Sequence, residues 1–113
     1  MHSEPQAKEK VYPRVIVLVN VFRVHESLSE FERIFTHVSE CMRAQPGFRH
    51  HRLLGSQDAG STYVNLAEWQ DEQSLRDALA RPEVIERLRP LAALATGEAT
   101  VYRPVLERSS LEA

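Results

Sequence analysis

Two asparagines, one tryptophan and a pair of adjacent histidines are the side chains in this sequence best suited to chemistry. Asn20 lies in the run VIVLVNVF and Asn65 in TYVNLAEW, both otherwise largely apolar. A buried amide without a partner costs about 1–3 kcal/mol, so each must bond the protein or a ligand. The plainer alternative is a bond to a neighbouring loop or bulge. Trp69 follows Asn65 by two pleats on the same strand face, ~13 Å away at ~3.3 Å per residue. Tyr63 flanks Asn65 on the other side of that face, and Phe22 shares a face with Asn20. A cavity lined by an indole, a phenol and amides suits a flat aromatic ligand bearing oxygen substituents.

His50 and His51 are consecutive in an extended segment, so they point to opposite faces and at most one enters a given pocket. That one could accept a phenol proton near neutral pH; a solvated strand histidine is the competing reading. His37, His25 and His2 read as helix, loop and leader residues. No two histidines have i, i+4 spacing and no carboxylate cluster accompanies them, so no metal site is expected. Arg87 and Arg89 fall in a helical region and could each reach a substrate carbonyl or a peroxide, or simply be solvated. The four glycines are scattered as turn residues and form no phosphate loop. Nothing supports a Ser/His/Asp or Cys/His catalytic set.

The elements that must hold these residues follow from periodicity. Pro13 to Val24 is rich in β-branched residues, apolar on both faces, and therefore a central strand. Ser27-Leu28-Ser29-Glu30 has capping-box spacing. It opens a helix whose apolar positions are Phe31, Ile34, Phe35, Val38, Cys41 and Met42, and Pro46-Gly47 stops it. Phe48 to Ser56 and Thr62 to Trp69 form a hairpin across the turn residues Gln57-Asp58-Ala59-Gly60. Asp71 caps a short helix to Ala80, and Pro82 restarts the chain as a first-turn proline. Gly97 ends that region, and Ala99 to Leu106 is the last strand, at a sheet edge because Pro104 lacks a donor.

The order β-α-β-β-α-β is the ferredoxin-like, split βαβ arrangement, an α+β fold with helices on one face of an antiparallel sheet. Parity puts Ile16, Leu18, Asn20 and Phe22 on one face of the first strand and Val15, Val17, Val19 and Val21 on the other. The valine face could lie under the helices or seal a sheet-to-sheet homodimer; parity does not choose.

Composition narrows the function classes. The chain has 113 residues, 42% hydrophobic and 27% charged, enough for one compact domain without disulfide staples. The expected division is a flexible leader over 1–12, a domain over 13–106 and a tail over 107–113. With 14 basic and 16 acidic residues the net charge is −2, which disfavours a non-specific nucleic-acid or anionic-membrane partner. Cys41 is the single cysteine, so no disulfide or thiolate cluster is expected. The longest apolar run, Val15 to Val19, is too short to span a bilayer, and the polar N-terminus is wrong for a secretory signal. The expectation is a soluble cytoplasmic protein.

The stretches Pro46-Gly47-Phe48, Arg52-Leu53-Leu54, Tyr63-Val64-Asn65-Leu66-Ala67-Glu68-Trp69 and Leu79-Ala80-Arg81-Pro82-Glu83 resemble the antibiotic biosynthesis monooxygenase family. Val17-Leu18-Val19-Asn20-Val21-Phe22 fits the same resemblance, which covers residues 13–105. Its most specific part is the Asn-x-x-x-Trp element. The resemblance implies a dimeric α/β barrel built by pairing sheets, and a cofactor-independent oxygenase acting with O2 on an aromatic polyketide. The outcome would be a quinone or an opened ring. It implies catalytic roles for Asn20, Asn65 and Trp69 and slightly favours Arg89 over Arg87 as a substrate contact; Phe22, His50, His51 and Tyr63 are the substrate-contact candidates that the residues themselves suggest. No tightly bound cofactor is implied: a reduced substrate, or free reduced flavin from a partner reductase, would supply the electrons. Haem-degrading relatives use a helix histidine, and Asp71 to Arg89 contains none. Two other classes stay open: a non-oxidative polyketide cyclase or isomerase relying on His50 or His51, and a small-molecule-binding dimeric module.

Overall fold

A computed structural model describes residues 14–112, so the expected leader lies outside the described residues. The elements are β1 (Ile16–Val24), α1 (Leu28–Met42), β2 (Phe48–Gly55), β3 (Thr62–Trp69), α2 (Glu72–Leu79), α3 (Pro82–Leu88), α4 (Leu91–Leu94) and β4 (Ala95–Tyr102). The strands form one sheet in the order β2-β3-β1-β4, and every pairing is antiparallel. This is the ferredoxin-like α+β fold, with β1 in the interior of the sheet and β4 at its edge.

Local chemistry explains the boundaries. The Ser27 hydroxyl accepts the Glu30 amide and caps α1, while the Asp71 carboxylate accepts the Ser74 amide and caps α2. Pro82 sits in the first turn of α3, where its missing N–H leaves no bond unmade. Gly47 has φ +86°, and a Cβ there would overlap the Ser74 side chain, so only glycine fits this close approach to α2. The last strand differs from expectation. It starts at Ala95 rather than Ala99 and ends before Pro104, so Gly97 lies within it. Gly97 lies opposite Phe22 in the ladder, and an added Cβ would come within 3.2 Å of the Phe22 ring. The missing side chain there makes room for an aromatic ring rather than a turn.

The helices choose a face. Ile16, Leu18 and Val24 of β1, with Tyr63, Asn65, Ala67 and Trp69 of β3, are buried beneath them. The opposite face carries Val17, Val19, Val21, Val64 and Leu66, half-buried and with no covering layer among the described residues. Beneath the helices the apolar core is not continuous. One cluster gathers Val24, Phe31, Phe35, Val38, Tyr63, Leu91 and Ala95; the other gathers Ile16, Leu18, Ala67, Trp69, Leu75 and Ala78. Between them, at mid-strand, sit the two asparagines.

Candidate active site

Asn20 and Asn65 are directly opposed in the β1–β3 ladder, an arrangement that sequence parity allowed but did not require. Asn65 Nδ2 donates to Asn20 Oδ1 at 3.0 Å, and Asn65 Oδ1 lies 3.0 Å from His51 Nδ1. His51 Nε2 is 2.7 Å from the Ser39 hydroxyl. A carbonyl oxygen can only accept, so with the Asn65 amide in this orientation the proton of the His51–Asn65 bond is on Nδ1. In a neutral ring Nε2 then carries the lone pair and accepts from Ser39. The chain therefore runs Ser39, His51, Asn65, Asn20, and it ends on Asn20 Nδ2, which has no partner among the described residues.

These groups border a cavity of about 340 Å³ between the sheet and the helices. That is near the lower end of the roughly 300–1,000 Å³ typical of small-molecule sites. Its floor is Leu18, Asn20, Phe22, Asn65, Ala67, Trp69 and Ala99; its roof includes Phe35, Val38 and Met42 of α1, and Leu79, Leu88 and Leu91 from the later helices. His51 is the one titratable side chain among the described lining residues. Apart from the two asparagines and Ser39 the rest of the wall is aliphatic and aromatic, a low-dielectric setting in which a few amide donors act strongly on a developing anion.

Trp69 is fully buried and stacks edge-on to Phe48, with centroids 5.3 Å apart and planes at 86°. Its Nε1–H makes no hydrogen bond among the described residues. Such a donor costs about 1–3 kcal/mol to leave unmet. It is one of the indications that this wall is built to meet an oxygen acceptor.

Asn20, Phe22, His51, Asn65 and Trp69 thus surround one space. Three other expected contacts lie elsewhere. Tyr63 is buried, but it packs on Phe31 at 4.9 Å and donates its hydroxyl to Glu32 at 2.5 Å, so the phenol lies outside the cavity. The Glu32 carboxylate, followed by burial, pushes the Tyr63 hydroxyl up to about 12. His50 lies on the opposite sheet face, 3.3 Å from Glu68. Arg89 is exposed and pairs with Glu86 at 2.8 Å, and Arg87 donates to the His37 carbonyl at 2.7 Å. No group of three or more potential metal ligands occurs among the described residues.

Ser39 was not singled out by the sequence, although a signal existed. It falls at i+4 from Phe35 and i−3 from Met42, a hydroxyl within the apolar stripe of α1. Polar residues interrupting an apolar face mark this site on the helix just as they do on the strands.

Comparison with known proteins places this geometry in context. The sequence pattern of the family described as antibiotic biosynthesis monooxygenase matches residues 15–86. Deoxynogalonate monooxygenase of Streptomyces nogalater is 40% identical over 83 residues, spanning 74% of this chain and 70% of that protein. The crystal structure of SnoaB, a cofactor-independent oxygenase from Streptomyces nogalater, superposes with a TM-score of 0.78 at 35% identity, covering 88% of this chain and 99% of that one. A conserved protein from Methanosarcina mazei Go1 shares the fold at 20% identity, with a TM-score of 0.76 over 84% of this chain and 97% of its own. No helix among the described residues is long and apolar enough to cross a membrane.

Proposed function

The chain belongs to the antibiotic biosynthesis monooxygenase family, and from that premise we propose that it is a cofactor-independent oxygenase for a flat polycyclic aromatic polyketide. The observation that carries this reading is the largely apolar cavity whose polar lining is two facing amides, one histidine with its serine partner, and a tryptophan whose indole N–H is unpartnered among the described residues. The relatives named as a monooxygenase and as a cofactor-independent oxygenase support the same reaction class.

For an anthrone-type substrate the balance is a ring CH2 plus O2 giving a ring C=O plus H2O. The bound substrate loses a proton to solvent, and amide donors from Asn20 and Asn65 hold the resulting oxyanion. This anion passes one electron to O2, leaving a carbon radical and superoxide in the same dry space. Their recombination forms a C–O bond, and the peroxide takes a proton from water while the Trp69 N–H bonds it. Loss of the second C–H proton then breaks the O–O bond, giving the quinone carbonyl and water. All four electrons come from the substrate carbon. A hydroquinone substrate follows the same first steps toward ring opening, and a reductase is needed only where the substrate arrives oxidised.

The valine face supports a homodimer. Val17, Val19, Val21, Val64 and Leu66 form an apolar surface that a second sheet would cover, and Val105 and Leu106, just beyond β4, are 82% and 74% exposed.

The test is O2 uptake by metal-stripped protein with a reduced anthracyclic phenol. We expect one O2 consumed per quinone formed and one labelled atom retained from 18O2. No uptake with anthrone- or hydroquinone-type substrates overturns the proposal. An inactive His51→Ala beside an active Asn65→Ala identifies a non-oxidative acid–base enzyme instead.

A further inference from the structure

We propose that His51 and Ser39 are positioning residues that set which end of the Asn20–Asn65 amide pair faces the cavity. Resting on the oxygenase reading, this assigns the pair the task of keeping N–H donors, not carbonyl oxygens, aimed at the substrate anion.

The argument is one of hydrogen-bond direction. The chain Ser39–His51–Asn65–Asn20 has bonds of 2.7, 3.0 and 3.0 Å. Each member can be reversed: the hydroxyl can accept, the imidazole has two tautomers, and each amide can turn its O and N about. A chain of this kind has two self-consistent directions. With the proton on His51 Nδ1, Asn65 turns its oxygen to the ring and its nitrogen to Asn20 Oδ1, leaving Asn20 Nδ2 to donate outward. With the proton on Nε2, every bond reverses, and Asn20 offers its carbonyl oxygen to the cavity. Opposite a phenolate or a peroxide the first direction attracts and the second repels. An amide turns at no chemical cost, so the direction follows the ring nitrogen that carries the proton, and the observed amide orientations correspond to Nδ1–H.

The ring is held for this purpose. Phe35, with its ring centroid 6.0 Å away, and Phe48, edge-on at 5.7 Å, flank it, and its two hydrogen bonds aim its nitrogens at Ser39 and Asn65. His51 and Ser39 border both the buried cavity and an outer groove that also contains Glu32 and Ser56. A hydroxyl in that position can donate to Nε2 and hold the ring in the Nδ1–H tautomer. A protonated ring gives the same polarity, because both nitrogens then donate.

Two isosteres separate this role from a structural one. The amide nitrogen of His51→Asn takes the place of Nδ1 and can still donate to Asn65. The longer His51→Gln places its amide near Nε2 and leaves Asn65 Oδ1 without a donor. We expect His51→Asn to keep kcat within about threefold of the parent, and His51→Gln to lose about 10²-fold, as removal of one oxyanion donor does. KM should change little in both. Ser39→Ala should fall between them.

A second readout does not need turnover. 1,8-Dihydroxyanthraquinone, whose anion is coloured differently from the neutral phenol, serves as the probe at one fixed, near-neutral pH. The anionic fraction of the bound dye should be high in the parent and His51→Asn, and low in His51→Gln. Equal losses in the Asn and Gln variants, or a parent-like anionic fraction in His51→Gln, overturn the inference. A parent that ionises the dye but consumes no O2 defeats the oxygenase reading while this one stands.

Discussion

Replacing Trp69 by phenylalanine separates what the indole does for the fold from what its N–H does for the reaction. Trp69 is fully buried, and its Nε1–H is the one buried side-chain donor without a bond among the described residues. Trp69→Phe removes two apolar carbons, worth about 1.6 kcal/mol at roughly 0.8 kcal/mol per buried group. It also removes the unmet donor, which recovers about 1–3 kcal/mol. Phe48 at 5.3 Å keeps an aromatic edge-to-face partner. The two effects nearly offset, so stability should move by no more than about 1 kcal/mol either way. Activity should not be spared: one lost donor to a developing oxyanion costs about 10²–10³ in kcat. Because Trp69 is the only tryptophan in the chain, unfolding in urea must be followed by far-ultraviolet circular dichroism rather than fluorescence. Turnover is read as O2 consumption at saturating substrate. A loss of more than about 2 kcal/mol refutes the claim that the N–H is unpaired in the folded protein. Activity within threefold of the parent refutes its assignment to the reaction.

Three other outcomes follow from particular contacts. Gly47→Ala should destabilise the domain by about 1–2 kcal/mol from the positive φ alone, and more from overlap with Ser74; a urea midpoint unchanged from the parent would contradict this. Tyr63 ionises at about 12 rather than 10, so its share of stability is complete below about pH 10 and lost as pH rises through about 12. Denaturation midpoints for the parent and Tyr63→Phe should therefore differ in their pH dependence within that alkaline window, with O2 consumption in the variant near the parent's. Val19→Glu, opposite Leu66 on the bare sheet face, should convert a dimer to a monomer by light scattering with the circular dichroism preserved; an unaltered dimer would place the interface elsewhere.

The fold was legible because its signals are local. Ser27 and Asp71 announce helix starts, Pro82 a first turn, and the β-branched run of β1 an interior strand, and each does so through bonds that the neighbouring residues alone determine. The asparagines were legible for a related reason: an amide in an apolar strand demands a partner, and parity places it relative to Phe22 or Trp69. What parity could not supply was the relation between strands. That Asn20 and Asn65 meet depends on the β1–β3 register, a property of the whole sheet. Tyr63 shows the same limit. It has the correct face, but its strand runs on beyond the cavity to Glu32, and a hydroxyl takes the nearest strong acceptor. Gly97 was misread because glycine marks a turn and a space for a neighbouring ring equally well, and only the Phe22 ring distinguishes them.

The choice between His50 and His51 rests on a single inserted residue. Phe48 pairs with Trp69 and His50 with Glu68, so β2 advances two residues while β3 advances one, and Arg49 is the surplus. Without that bulge, strict alternation from Phe48 would send His50, Arg52 and Leu54 beneath the helices, and His51 would face outward. With it, His51 and Leu53 turn inward, and His50 joins the opposite face. The bulge is held from that face by Glu68, whose carboxylate meets Arg49 Nε at 2.7 Å and His50 Nε2 at 3.3 Å. One acidic side chain thus meets both Arg49 and His50 on the outer face, while His51 on the inner face bonds Asn65. The histidine that reaches the cavity is selected by a backbone irregularity, the extra residue between Phe48 and His50. A reading of side-chain types along the strand therefore had to leave the two histidines equivalent.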